Sequence, residues 1–225
     1  MPFLTEKVIE EHAQLLLHEW AAKCGELTLP LSLEDIIELH LGLTYEIDDL
    51  CSRYGKSDIL GAIWFNANMI RVDRSLDPHE NPAKLGRYNY TLAHEIAHWR
   101  LHRSHLRDDP AAASLFEPNG EPAFVCRSTD KPREERQADQ FAACLLMPRR
   151  ELRDAWLRWR GTDDPVVIAT LPIGDHHSDR KANDEMAMDR FCRPLADQFG
   201  VSAQAMRIRL QALDLLVKEL EPRLF

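Results

Sequence analysis

The run Tyr90-Thr91-Leu92-Ala93-His94-Glu95-Ile96-Ala97-His98-Trp99 constrains this chain more than any other stretch of it. It holds an HExxH signature in surroundings that read as a helix. Histidines four residues apart fall one above the other on a helical face, close enough to share one metal ion. Glu95, one residue round from His94, can then face a water on that ion. Zinc peptidases use this arrangement, with two imidazoles as ligands and the carboxylate as general base. Alone, the pentapeptide also fits an amphipathic helix whose histidines are ordinary polar positions. A third ligand decides, because a catalytic zinc has three protein ligands and one open position.

The segment from Arg133 to Pro148 supplies one. Ala138, Phe141, Ala142, Leu145 and Leu146 recur at helical spacing, which predicts a second amphipathic helix, with Pro148 marking its end. Glu135 and Asp139 are four apart and point the same way. Glu135 can bind the metal, while Asp139 can accept the free ring N–H of a ligand histidine and so fix its tautomer. Glu134 is the weaker ligand candidate, since the residue four beyond it is Ala138. The plainer alternative for Glu135 and Asp139 is a solvated acidic face.

His102 and His105 sit near the face of His94 and His98. On a continuous helix, however, His102 is about 12 Å beyond His94 and cannot join the same ion. The metzincin pattern HExxHxxGxxH bends the chain back at a glycine. Here Leu101 and Ser104 occupy its glycine and histidine positions, so that pattern is absent.

Thr91-Leu92-Ala93-His94 through His98, followed by Glu135-x-x-Ala138-Asp139-x-Phe141-Ala142-x-x-Leu145-Leu146-Met147-Pro148, resembles the ImmA/IrrE-type metallopeptidases. Asp139 stands where many members carry asparagine. Weaker similarity covers residues 6–22, 33–40, 43–47 and 61–73, and a C-terminal stretch around Leu195–Ser202, Ala205 and Arg209-Leu210. The resemblance implies a zinc-dependent endopeptidase whose substrates are helix-turn-helix transcriptional repressors, cleaved to switch on stress-response, mobile-element or phage genes. Some relatives carry an additional C-terminal sensor domain, for which this chain looks too short.

A length of 225 residues suits one compact domain or a domain with a small appendage. No stretch approaches the length of a transmembrane helix, and the first residues do not read as a signal peptide. The five cysteines, Cys24, Cys51, Cys126, Cys144 and Cys192, are scattered and never paired as CxxC. That pattern points to reduced thiols in a cytoplasmic protein and away from a cysteine metal site. A net charge of −9 argues against nonspecific nucleic-acid binding.

Ser32 is placed to cap a helix that stops at Gly42. Leu60–Phe65 and Met69–Asp73 flank Asn66-Ala67-Asn68 as a hairpin, one strand of which is a candidate to pair with extended substrate, against the plainer reading of pairing within a small sheet. Arg149–Arg160 reads as a further helix, and 161–188 as a loop or insertion. From Asp189 the pattern turns helical, with Gly200-Val201-Ser202 between two segments in the manner of a helix-turn-helix. The expected architecture is α+β: a gluzincin-like metallopeptidase core over 1–160, the segment 161–188, and a helix-turn-helix-like helical module over 189–225. His94, His98 and Glu135 hold one zinc ion, with other divalent metals as alternatives. Asp139 supports the ligands and Glu95 is the base. Tyr88, Tyr90, His102, His176 and His177 are candidates to stabilise the oxyanion. The rival expectation is a non-proteolytic regulator that binds a protein or DNA through its C-terminal helices, its metal structural or absent.

Overall fold

The computed structural model describes residues 4–116, 121–127, 133–171 and 180–218. Helices and a four-stranded sheet make an α+β protein, and the chain divides into two compact units, Met1–Leu146 and Met147–Phe225.

In the first unit, α1 (Glu6–Cys24) begins where the Thr5 hydroxyl accepts the Val8 backbone N–H at 3.4 Å. Ile9, Ala13, Leu16 and Leu17 form its buried stripe, at the spacing a single helical face requires. The next helix, α2 (Leu33–Asp35), passes straight into a π-helical turn at Ile36–His40. Ser32 precedes it in extended conformation, but its hydroxyl makes no capping bond, contrary to expectation. Gly42 ends the segment with φ +65°, a conformation that glycine adopts without steric penalty.

The sheet contains β1 (Thr44–Asp48), β2 (Ile59–Trp64), β3 (Met69–Asp73) and β4 (Phe124–Arg127), in the order β1-β3-β2-β4. β1 runs parallel to β3, and the other pairs are antiparallel. A short α3 (Leu50–Tyr54) lies between β1 and β2 in the chain. The expected hairpin is β2–β3, with Asn68 at φ 49° in its turn. Both hairpin strands are interior, because β4 fills the outer edge of β2 and β1 that of β3. Neither can take an extended substrate, so that expectation is corrected.

Helix α4 (Leu85–Ala97) packs on β2, β3 and β4 and continues as a π-helical segment, His98–His102, into α5 (Arg103–Arg107). Helix α6 (Arg133–Leu146) packs against both α4 and α1. Arg100, within the π-helical segment, donates to Glu19 of α1 at 2.9 Å and ties that segment down.

The second unit holds α7 (Arg149–Arg160), β5 (Val166–Val167), α8 (Arg180–Phe199), α9 (Ala203–Ala212) and β6 (Leu216–Val217), with β5 and β6 paired in parallel. Trp156 is its largest fully buried side chain and meets Trp159 and Phe191 edge-on. Helix α8 starts earlier than Asp189. Its first turns lack an apolar stripe but contain good helix formers, Lys181, Ala182, Glu185, Met186 and Ala187. Gly200, at φ +63°, and the Ser202 cap make the turn into α9. Arg207 is held by Asp189 at 2.9 Å, and buried Arg209 donates to the Met147 carbonyl at 3.1 Å. Among the described residues no helix is long and apolar enough to cross a membrane.

Candidate metal centre

Two helices of the first unit bring the HExxH residues and Glu135 together. His94 Nε2 lies 3.0 Å from Glu135 Oε2 and 3.1 Å from His98 Nε2, and His98 Nε2 lies 3.3 Å from Glu135 Oε1. All three residues are buried. A tetrahedral ion with ligands at about 2.0–2.1 Å spaces them about 3.3–3.4 Å apart, so these donors are set at nearly the edge length of a zinc site. Glu134 takes no part in this cluster.

The rings are oriented from behind. His94 Nδ1 meets Asp139 Oδ1 at 3.1 Å, and the Asp139 backbone carbonyl accepts the Tyr90 hydroxyl at 2.8 Å. His98 Nδ1 meets His102 Nδ1 at 2.9 Å, and His102 Nε2 meets Gln137 Oε1 at 3.1 Å. One proton arrangement satisfies this second chain with His98 Nε2 free to bind a cation. His98 Nδ1–H donates to His102, and His102 Nε2–H donates to the Gln137 amide oxygen.

The electrostatics agree. Burial holds the His98 imidazole down to about 3 and lowers His102 as well, so both are neutral. Burial also pulls His94 down, but hydrogen bonding with Asp139, Cys126 and Glu135 outweighs it and leaves His94 well above its ordinary range. Burial would raise Glu135, yet hydrogen bonds with His94 and His98 bring it down to about 2.

Glu95 differs from all of these. It is fully buried, and neither carboxylate oxygen has a hydrogen-bond partner among the described residues. Burial pushes it up to about 8, with the nearby Glu135 charge adding to the rise and His94 opposing it. An orphaned carboxylate beside three converging donors suits a site built for a divalent cation.

The sheet presses close against this carboxylate. A Cβ on Gly61 of β2 would lie 2.6 Å from Thr91 Cγ2 and 2.8 Å from Glu95 Oε1, so the approach requires glycine. Opposite Gly61 in the strand register stands Cys126 of β4, whose Sγ lies within 4.8 Å of a ring nitrogen of His94. Phe124, two residues earlier, stacks on His98 with ring centroids 3.9 Å apart.

Three of the candidate oxyanion donors are already engaged. The Tyr88 hydroxyl is taken up by Glu34 and Tyr45, Tyr90 secures Asp139, and both ring nitrogens of His102 are used in orienting His98. His105 is exposed. His176 and His177 lie outside the described residues. Gln137, Gly61, Phe124 and Cys126 were not singled out by sequence reasoning as parts of a site. The scattered cysteines had pointed away from a cysteine at a metal centre. Strand pairing rather than CxxC spacing brings Cys126 there.

No curated protein matches the chain. Among solved structures it is similar to a Mycobacterium tuberculosis transcriptional regulator, at 16% identity and a TM-score of 0.49, over 94% of this chain and 52% of that one. The chain thus spans about half the length of that structure. The family model Peptidase_M78, the IrrE N-terminal-like domain, matches residues 53–211, a span that includes His94, Glu95, His98 and Glu135. The chain belongs to the IrrE N-terminal-like domain family, Peptidase_M78.

Proposed function

We propose that the chain is a zinc-dependent endopeptidase that cleaves a helix-turn-helix transcriptional repressor and so derepresses stress-response or mobile-element genes. The observation carrying the enzymatic part is the orphaned Glu95 carboxylate beside the convergence of His94, His98 and Glu135. In this reading these three residues hold the ion, while Asp139 and the His102–Gln137 pair fix the two imidazoles. Bound zinc supplies Lewis acidity, making water a better nucleophile and polarising the scissile carbonyl. Glu95 accepts the proton of the attacking water on a carboxylate oxygen and returns it to the leaving amine. The repressor substrate follows from the family resemblance alone.

The rival reading is a non-proteolytic regulator that binds a partner protein or DNA through its C-terminal helices, and its DNA-binding form finds little support in α9. Arg207 and Arg209 are held within the second unit by Asp189 and the Met147 carbonyl, rather than presented as phosphate contacts.

Elemental analysis and proteolysis test the proposal together. Wild type and Glu95→Gln should each retain one zinc per chain, and Glu135→Ala should lose it. Mass spectrometry of new N-termini in a purified helix-turn-helix repressor should find cleavage with wild type and none with Glu95→Gln. A Glu95→Gln variant that cuts at the wild-type rate refutes the mechanism.

A further inference from the structure

A second set of donors converges beside the triad. A ring nitrogen of His94, a carboxylate oxygen of Glu95 and the Sγ of Cys126 all lie within 4.8 Å of one another, and all three residues are buried. Cys126 reaches this point through the β2–β4 register, opposite Gly61, whose missing side chain leaves the space that Glu95 Oε1 enters. Glu95 supplies an independent indication of a ligand, since both of its enclosed oxygens are without a hydrogen-bond partner among the described residues. A buried carboxylate in that state calls for a proton or a cation.

We propose that His94, Glu95 and Cys126 form a second cation position, selective for thiophilic divalent ions such as Cd²⁺ and exclusive of occupation of the triad. Thiolate sulfur favours soft ions, whereas Mg²⁺ and Ca²⁺ prefer all-oxygen cages. On binding, the Cys126 thiol, the ligating nitrogen of His94 and the Glu95 carboxyl give up to solvent whatever protons they hold, and sulfur–metal, nitrogen–metal and oxygen–metal bonds form. The exclusivity rests on the triad reading given above. A neutral imidazole offers one lone pair, so His94 cannot serve two ions while its other nitrogen keeps a proton for Asp139. An ion in the second position also takes a Glu95 oxygen as a ligand, which occupies the carboxylate that would serve as base. Occupation is therefore a dead end for hydrolysis.

The test is a cadmium titration of the full metal-free chain, followed by thiolate-to-cadmium charge-transfer absorption in the ultraviolet. Cys24 is exposed, so Cys24→Ser serves as the common background. The band should saturate at one equivalent, vanish in Cys126→Ser, weaken in Glu95→Gln and persist in Glu135→Gln. One equivalent of zinc added first should suppress it. A band that survives Cys126→Ser overturns the proposal. So does one that Glu135→Gln abolishes and Glu95→Gln leaves intact, which would assign the thiol to the ion of the triad. Cadmium NMR of the unmutated chain removes any dependence on variant folding, and a resonance typical of nitrogen and oxygen ligands alone refutes the site. Failure of the triad reading is separately visible as zinc retention that Glu135→Ala does not change.

Discussion

His94 and His98 sit one helical turn apart, equally enclosed and aimed at the same point, yet they are held by opposite means. Behind His94 is a carboxylate, Asp139, whose side chain keeps 26% of its surface in solvent. Behind His98 is a neutral pair, His102 and Gln137, both buried. The charged support raises the proton affinity of His94 despite burial, while His98 falls to about 3. The difference is sensible for a crowded site. Glu135 and Glu95 already place two carboxylates beside the rings, and a further one behind His98 would make ionising Glu95 costlier still. A neutral relay fixes the ring tautomer without adding charge.

Removing each support should therefore do different damage. Asp139→Ala should weaken zinc binding by about 10–100-fold, the usual result of deleting a group that orients a ligand. Its effect on folding should be small, because water can reach the vacated place. Competition with a zinc-sensitive chromophoric chelator and a thermal melt measure the two quantities. Gln137→Leu should show the reverse balance. It strands the buried His102 N–H and should cost about 1–3 kcal/mol of stability in metal-free protein, with a lesser loss of zinc affinity. Equal affinity losses for the two variants would erase the distinction between the arms.

A third change presses on both arms from the sheet side. Gly61→Ala places a methyl group against Thr91 and Glu95 and should cost about 1–3 kcal/mol as the helix and sheet move apart. The loss should reach cleavage as well as melting temperature, since Glu95 is the side chain that must shift. Full activity in a destabilised Gly61→Ala protein would show that the exact place of this carboxylate is unimportant.

What could be read from the sequence divides along the same line. His94, His98, Glu135 and Asp139 were legible because each pair lies four residues apart on one helix, and helical spacing can be counted. Gln137 escaped notice, being two residues from Glu135 and directed elsewhere along α6. His102 was placed near the correct face, but its purpose depends on Gln137 in another helix. Gly61, Phe124 and Cys126 arrive through the pairing of β2 with β4, strands far apart in sequence, and strand register leaves no mark in local spacing. The β2–β3 hairpin was visible from its turn, whereas the strand that covers its edge was not.

The smallest expected effect is a change of slope, and it addresses the asymmetry most directly. With His94 raised well above its ordinary pKa, the metal-free site carries a proton on that ring at neutral pH, and His98, down near 3, carries none. Glu95, pushed up to about 8, holds a second proton there. Zinc displaces the first and, by its positive charge, favours loss of the second. Affinity should thus rise with pH, by at most about tenfold per pH unit for each proton released. Calorimetry of zinc binding in buffers of different ionisation enthalpy counts those protons. Asp139→Ala removes the strongest of the interactions holding the proton on His94, so release should fall by up to one proton. Glu95→Gln should remove the other contribution, and Gln137→Leu neither. A Gln137→Leu protein that lost the release while Asp139→Ala kept it would move the stored proton to the His98 arm and reverse the comparison.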